Sequence, residues 1–362
     1  MNLLKTTSKR VEVLTLLTVC MWPLVSAAQL SAADTFTNPL LASGPDPWVT
    51  QYDGDYYYLK SGPRSSIILM RTSDITDLKN AFAKTIWKAP PSTNYSEQIW
   101  APEIHRIDDK WYIYFAADDG DNRNHRMFVL ENVAANPFQG EFVMKAKIET
   151  DADDNWAIDG SVFEHRGKLY FFWSGWEKPT REVETANIYI ARMSNPWTIA
   201  SQRVRLSTPE HDWERQWQYP GAAGPSTPVY VNEGPQFLKR GDKLHIVYSA
   251  SGCWTPHYAL GLLTAAADCD PLDDTAWTKS KAPIFSQSAK NGVYGPGHNS
   301  FFKSPDGTQD WILYHANASP TDGCSPTRSP RAQEISWTDD HMPILGQPVS
   351  TDERLQKPSG TK

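Results

Sequence analysis

The sequence has little of three features that would point to other classes of protein. Four Cys in 362 residues are too few for a disulfide-dense scaffold. Lys and Arg number 35 against 42 Asp and Glu, so the net charge of −7 leaves no basic excess for nucleic acid or an anionic membrane. After the N-terminal region, no stretch reaches the ~20 apolar residues of a transmembrane helix. We therefore expect neither a nucleic acid nor a membrane as partner.

The N-terminus has the composition of a secretory signal peptide. Three basic residues precede a mostly apolar run, residues 11–25, and Ser26-Ala27-Ala28 supplies the small residues of a cleavage site. We predict cleavage after Ala28, which assigns residues 1–28 to the signal peptide and residues 29–362 to a single domain. The mature protein is expected to be secreted, extracellular and monomeric.

The cysteines that remain allow one internal disulfide. Cys20 leaves with the signal peptide, and of the three cysteines that remain at least one must stay unpaired within the chain. Cys253 and Cys269 are the nearer pair in sequence, but sequence distance does not fix the connectivity among Cys253, Cys269 and Cys324. No pair has the short spacing of a zinc site.

In contrast to these scarce features, the sequence contains five copies of one aromatic-rich unit. Each copy reads as a short strand, a polar turn such as Asp53-Gly54, and an aromatic-rich strand, which is the pattern of a β-hairpin. No 15-residue window has the period of an amphipathic helix. The copies start 55, 58, 74 and 65 residues apart, which leaves room for two more strands in each. They begin at Asp46, Ala101, Asp159, Glu233 and His298.

An all-β fold, a single five-bladed β-propeller with its core at about residues 35–345, accounts for this repeat. Residues 127–133, 187–193 and 259–265 are predicted to be the third strands of their blades. A β-sandwich or a β-helix built from the same hairpins is the alternative.

Three of the five copies open on a carboxylate. In the first and third copies, Asp46 and Asp159 lie nine residues before the second strand, and in the fourth copy Glu233 lies ten before it. Equivalent positions of a propeller converge on its axis, so we expect the three to face one another. Such a set suits glycosidic bond hydrolysis, in which one carboxyl protonates the leaving oxygen and another activates water. A divalent-cation site made of the same oxygens is the alternative.

Five short motifs carry a resemblance to a known family. In order and approximate spacing they resemble glycoside hydrolase family 43, five-bladed propeller enzymes that act on arabinans and xylans. The resemblance implies an inverting mechanism with Asp46 as general base, Glu233 as general acid, and Asp159 as the residue that tunes and orients the acid. Inversion implies that the carboxyls of Asp46 and Glu233 lie ~6.5–9.5 Å apart. The motifs are GPDPW (44–48), WAPE (100–103), AIDG (157–160), NEGP (232–235) and GHN (297–299).

Longer stretches, including WAIDGSVFEH from Trp156, are similar to exo-acting α-L-arabinofuranosidases that release arabinose from α-1,5-linked arabinan. This similarity implies a plant cell-wall polysaccharide as substrate, either arabinan or arabinoxylan. A β-xylosidase or an endo-arabinanase on the same scaffold is the alternative, followed by a non-catalytic sugar-binding propeller.

The resemblance also implies residues that touch the substrate. Trp48, Trp100 and Trp173 are candidates to line the sugar pocket, with blade packing as the alternative for each. Glu103 is a candidate to contact the substrate from the second blade. Arg331 is a candidate to hydrogen-bond sugar hydroxyls, with a plain surface charge as the alternative.

No cofactor is required by this reading. His298 opens the fifth copy, and the resemblance implies that it lies beside a structural Ca²⁺ near the propeller axis, directly or through water. A hydrogen-bonded core histidine is the alternative.

Overall fold

The computed structural model describes residue 1 and residues 34–178 and 184–362, and these residues form an all-β fold. The predicted signal peptide therefore lies outside the described residues, apart from Met1. Within the described ranges, no helix is long and apolar enough to cross a membrane.

The strands are short, and the helical segments that connect them are single 3₁₀ turns or little more. The 3₁₀ segments are Ile75–Asn80, Asn122–Asn124, Asp212–Glu214, Asp274–Ala276 and Ala289–Asn291. The strands are β1 (Thr35–Phe36), β2 (Trp48–Tyr52), β3 (Asp55–Gly62), β4 (Ser66–Thr72), β5 (Phe82–Lys88), β6 (Glu97–Ile107), β7 (Lys110–Asp118), β8 (Arg126–Asn132), β9 (Val143–Lys147), β10 (Ala157–His165), β11 (Lys168–Gly175), β12 (Glu184–Asn195), β13 (Thr198–Ile199), β14 (Val204–Ser207), β15 (Val229–Arg240), β16 (Lys243–Ala250), β17 (Ala259–Ala266), β18 (Thr278–Lys279), β19 (Tyr294–Lys303), β20 (Asp310–Asn317), β21 (Ser329–Trp337), β22 (Pro343–Ile344) and β23 (Leu355–Gln356).

The strands pair in chain order as antiparallel meanders. Strands β2 to β5, β6 to β9 and β19 to β22 each form a four-stranded sheet, while β10 to β18 belong to one nine-stranded sheet. That larger sheet arises because β12 and β15 pair in parallel over Glu184–Ala186 and Val229–Val231. The all-β prediction is confirmed. The number of blades stays a prediction, because the third and fourth hairpin units share one sheet.

The predicted hairpin turns are present between the first two strands of the units. Asp53-Gly54 joins β2 to β3 with φ angles of 53° and 82°, and Arg166-Gly167 joins β10 to β11 with 53° and 70°. Two consecutive residues with positive φ match the right-handed twist of the strands that they connect. The predicted third strands are also found, as β8, β12 and β17.

The core consists of five clusters, each shared by two units that follow one another. Tyr57 and Trp111 pack together between the first two units, and Phe163 and Leu244 between the third and fourth. One cluster joins the first unit to the last, where Tyr58 packs in the same cluster as Trp311. The other two lie between the second and third units and between the fourth and fifth. Most of the aromatic excess of the sequence is therefore packing between units.

The first and last strands of the described residues also meet at this junction. Strand β1 pairs antiparallel with β23, with Thr35 opposite Gln356. Residues beyond the predicted core boundary near 345 thus add a strand to the structure.

Candidate active site

The opening strands of the units carry the site, and a backbone irregularity aims its side chains. Ala101, Asp159, Gly234 and His298 have φ between 41° and 54°, and each lies where the pairing register of its strand shifts. Such bulges re-aim side chains at the ends of sheets. Asp46 has φ of 54° just before β2.

The pairing register explains why the carboxylate of the fourth unit lies ten residues before its second strand, whereas those of the first and third units lie nine before theirs. Gly234, not Glu233, is the counterpart of Asp159. A Cβ at Gly234 would lie 3.1 Å from His298 Nδ1, so glycine suits both the positive φ and the close approach. Glu233 precedes this point by one residue, which is why it lies ten residues before its second strand.

The three carboxylates line one cavity of about 440 Å³. Asp159 is buried, while Asp46 and Glu233 are partly exposed to the cavity. Four tryptophans, one histidine and one arginine share its walls: Trp100, Trp156, Trp176, Trp254, His298 and Arg328.

Asp46 is surrounded by positive and hydrogen-bonding groups. Arg328 Nη1 lies 3.0 Å from Asp46 Oδ1, and His298 Nδ1 and His315 Nδ1 each lie 3.4 Å from the same oxygen. Burial alone would raise the pKa of Asp46, but Arg328 and the two histidines outweigh it and hold the pKa well below its usual range. Asp46 is therefore an ionised carboxylate at neutral pH.

The two histidines beside Asp46 differ in charge. Burial and the Arg328 charge lower the pKa of His315 to about 3, and its Nδ1 accepts a 3.1 Å hydrogen bond from the Asp46 backbone N–H. Burial also disfavours a charge on His298, but Asp46, Asp159 and Glu233 together raise its pKa. His315 is thus neutral, whereas the three carboxyls favour the charged form of His298.

Asp159 and Glu233 behave in the opposite way from Asp46. Burial raises the pKa of Asp159 and, separately, that of Glu233. The backbone N–H of Gly234 donates to Asp159 Oδ2 at 3.1 Å, and the Tyr258 hydroxyl donates to Glu233 Oε1 at 2.7 Å, and both bonds oppose the rise. Because the two groups lie close together, they titrate as a pair that retains a proton at neutral pH.

Four predicted substrate-contacting residues lie off this cavity. Trp48 donates its indole N–H to the Ile104 carbonyl at 2.9 Å and packs on the His105 ring. Trp173 is 0% exposed within the core. Glu103 is buried and hydrogen-bonded to Gln236.

Arg331 is the fourth of these residues. It is 1% exposed, and its guanidinium donates to Ser329 Oγ and to the Asn317 carbonyl, each at 3.4 Å. Of the residues predicted to touch the substrate, Trp100 alone lines the cavity.

The residues that sequence reasoning missed lie mainly in connections outside the repeated hairpins. Arg328 lies one residue before β21, Trp254 and Tyr258 lie between β16 and β17, and Trp156 lies one residue before β10. Only Trp156 carried a signal, because it opens the same motif as Asp159.

Aromatic pairs form much of the cavity wall. The Trp156 and Trp176 rings stack with centroids 4.8 Å apart, and Trp100 stacks on His125 at 3.9 Å. His125 is held below Trp100 by Asp118, whose Oδ2 lies 3.0 Å from His125 Nδ1. Flat apolar faces of this kind suit the C–H faces of sugar rings.

The predicted Ca²⁺ has a poor ligand set here. Asp159, Glu233 and His298 can each offer an atom within 4.8 Å of the others. Two carboxyls and one imidazole nitrogen supply too few oxygens for Ca²⁺, which takes six to eight oxygen ligands. A water-mediated contact between His298 and Ca²⁺ stays a prediction.

The disulfide differs from the pair nearest in sequence. Cys253 bonds to Cys324, with their Cα atoms 5.2 Å apart, and Cys269 is a free, partly buried thiol. The connectivity that the sequence left open follows from the fold, because the loops after β16 and β20 meet at the cavity, whereas Cys269 packs with the core of the third and fourth units.

Comparison with known proteins decides the family. Residues 36–343 match the sequence model of the glycosyl hydrolases family 43. This chain belongs to glycosyl hydrolase family 43. The predicted resemblance is confirmed.

Relatives within family 43 are similar over most of this chain. An extracellular exo-α-(1→5)-L-arabinofuranosidase of Streptomyces avermitilis is 38% identical over 335 residues, which is 91% of this chain and 66% of that protein. A protein with the same name from Streptomyces chartreusis is 37% identical over 78% of this chain and 82% of its own length. This chain thus spans just under two thirds of the first relative.

A solved α-L-arabinofuranosidase structure has the same fold. The crystal structure of an α-L-arabinofuranosidase from Lactobacillus brevis superposes with a TM-score of 0.79 and 37% identity. The match covers 89% of this chain and 99% of that chain.

Proposed function

We propose that this protein is a secreted, inverting exo-α-L-arabinofuranosidase that releases L-arabinose from α-1,5-linked arabinan and arabino-oligosaccharides. One observation carries the proposal. Three carboxyls from three units share a cavity, and their surroundings move the pKa values apart, with Asp46 held ionised and Asp159 and Glu233 holding a proton. Glycoside hydrolysis by an acid and a base needs this division.

The proposed architecture is a single domain, a five-bladed β-propeller. It is supported by the five core clusters, which link each unit to the next and the last unit to the first. The parallel contact between β12 and β15 then joins two neighbouring blades at their edges.

Asp46 is the proposed general base. Its carboxylate removes a proton from a water molecule as the water oxygen attacks the anomeric carbon. Arg328 and His298 keep Asp46 ionised, and their positive charge also holds its orientation. The bond that forms joins the water oxygen to the anomeric carbon on the face opposite the leaving group, so the configuration inverts.

Glu233 is the proposed general acid. Its proton passes to the glycosidic oxygen as the bond from that oxygen to the anomeric carbon breaks, which gives arabinose and a shortened chain. Asp159 raises the affinity of the pair for that proton through like-charge repulsion. Afterwards solvent returns a proton to Glu233 and removes one from Asp46, which restores the enzyme.

The names of the two Streptomyces relatives favour arabinofuranosides over xylosides. The two Streptomyces proteins are named exo-α-(1→5)-L-arabinofuranosidases and extracellular, which supports both the substrate and the secretion proposed here. The stacked tryptophans of the cavity would contact the furanose rings of a plant cell-wall arabinan.

Product analysis on linear arabinan, xylan and arabinoxylan tests this function. We expect arabinose alone from linear arabinan with the wild type, and no product with Glu233→Ala. Oligosaccharides as first products would mean endo action, and release of xylose from xylan would overturn the assignment.

A further inference from the structure

The disulfide lies in the wall of the cavity. Cys253 follows β16 and Cys324 follows β20, so the bond joins loops of the fourth and fifth units across 71 residues of sequence. Both half-cystines line the cavity that holds the three carboxyls. Cys324 is exposed and Cys253 partly buried, so a reductant can reach the bond.

The Cys324 loop carries a side chain that touches Asp46. Four residues after Cys324, the Arg328 guanidinium donates from Nη1 to Asp46 Oδ1 at 3.0 Å. Arg328 is oriented by its own turn, because its backbone N–H and its Nε both donate to the Ser325 carbonyl, at 3.3 Å and 3.2 Å. A shift of residues 324–325 would therefore move the guanidinium.

The same loop packs on the segment that leads to Asp46. The Gly44 backbone N–H donates to the Arg328 carbonyl at 3.0 Å, and Ser43 Oγ donates to the Pro326 carbonyl. The loop thus lies between the disulfide on one side and the Asp46 segment on the other.

On the other side of the bond, Cys253 precedes a wall residue. Trp254 lines the cavity, and its indole N–H donates to the Trp217 carbonyl at 2.6 Å. Its backbone lies against Gly323, the neighbour of Cys324. One covalent link therefore fixes both an aromatic wall and the arginine beside the proposed base.

We propose that the Cys253–Cys324 disulfide is a positioning element of the active site, which holds Arg328 on Asp46 and Trp254 on the cavity wall. The proposal rests on the function given above. It predicts that the folded protein loses catalytic efficiency when the bond is reduced, beyond any effect on stability. A disulfide that only restricts the unfolded chain would change the unfolding temperature and leave the kinetics alone.

The test compares Cys253→Ser/Cys324→Ser with the wild type, in the presence and absence of Arg328→Ala, and uses Cys269→Ser as the matched control. In an otherwise wild-type protein we expect kcat/KM on an arabino-oligosaccharide to fall about 10- to 100-fold, the range for a catalytic group misplaced by about 1 Å. With Arg328→Ala present, removal of the disulfide should cost less, because one of the two side chains that it positions is already gone. Cys269→Ser should match the wild type.

Several outcomes distinguish a disulfide that positions the active site from one that only stabilises the fold. Wild-type kinetics in the double serine variant would overturn the positioning role even if the melting temperature falls, and equal losses with and without Arg328 would overturn the positioning of Arg328. If the double variant does not fold, the same comparison is made on Cys269→Ser protein reduced in its folded state, with near-UV circular dichroism as the check on folding. An oxidised wild type that is inactive on every α-arabinofuranoside would instead refute the proposed function.

Discussion

The Tyr258 hydroxyl donates a 2.7 Å hydrogen bond to Glu233 Oε1, while the Tyr258 ring stacks on His315 with an interplanar angle of 8°. The bond stabilises the ionised form of Glu233 and opposes the rise in its pKa caused by burial. Tyr258 therefore keeps the pKa of the proposed acid, Glu233, lower than burial alone would make it.

The variant Tyr258→Phe keeps the ring stack and removes this hydrogen bond. A hydrogen bond to a charged group contributes about 1.5–3 kcal/mol, so we expect its loss to raise the pKa of Glu233 further. An acid must be protonated to act, so the basic limb of the profile of kcat/KM against pH should move to higher pH. An unmoved basic limb would contradict the hydrogen-bonded acid.

The variant Asp159→Asn should move the same limb in the opposite direction. Asp159 and Glu233 share a proton because both cannot be ionised easily at this distance, and an amide removes that repulsion. Glu233 then loses its proton at lower pH, and activity in alkaline solution falls. A shift to higher pH would show that Asp159 does not raise the pKa of the acid.

The proposed acid and base can be told apart by the leaving group. Glu233→Gln and Asp46→Asn should each lower kcat on arabino-oligosaccharides by about 10²–10⁴-fold. On an aryl arabinofuranoside whose phenol leaves without protonation, Glu233→Gln should recover most of its rate, whereas Asp46→Asn should not. Recovery in Asp46→Asn instead would reverse the roles.

Arg328 and Arg331 form a matched pair with different expected effects. Arg328→Ala removes a contact to a charged group, which predicts a loss of about 10- to 100-fold in kcat/KM. The pKa of Asp46 should also rise in this variant. Because the base must be ionised to act, the acidic limb of the profile of kcat/KM against pH should move to higher pH. Arg331 lies off the cavity, and Arg331→Met should leave kcat/KM at the wild-type level. Equal kinetic losses in both variants would place Arg331 in the site after all.

The repeat explains how much of the site the sequence could predict. A hairpin pattern repeats in every unit, so its turns, its second strands and the convergence of Asp46, Asp159 and His298 could be read without a structure. Glu233 also reaches the cavity, although it lies one residue before the shared position, which Gly234 occupies.

The site residues that could not be predicted from the sequence lie in segments that do not repeat. Arg328, Trp254 and Tyr258 lie in connections whose path depends on contacts with other units, and no local pattern encodes that path. The same holds for Cys324, whose partner is set by where two loops meet. Arg331 lies within β21 and turns into the protein, while Arg328, three residues earlier, reaches Asp46.

The most direct test of the account is proton NMR of the first sugar released from an α-1,5-linked arabino-oligosaccharide, recorded before the product mutarotates. The wild type should release the β-anomer of L-arabinofuranose first, because water activated by Asp46 attacks the face opposite the bond that Glu233 protonates. Initial release of the α-anomer would mean retention and would contradict the assigned roles of both carboxyls.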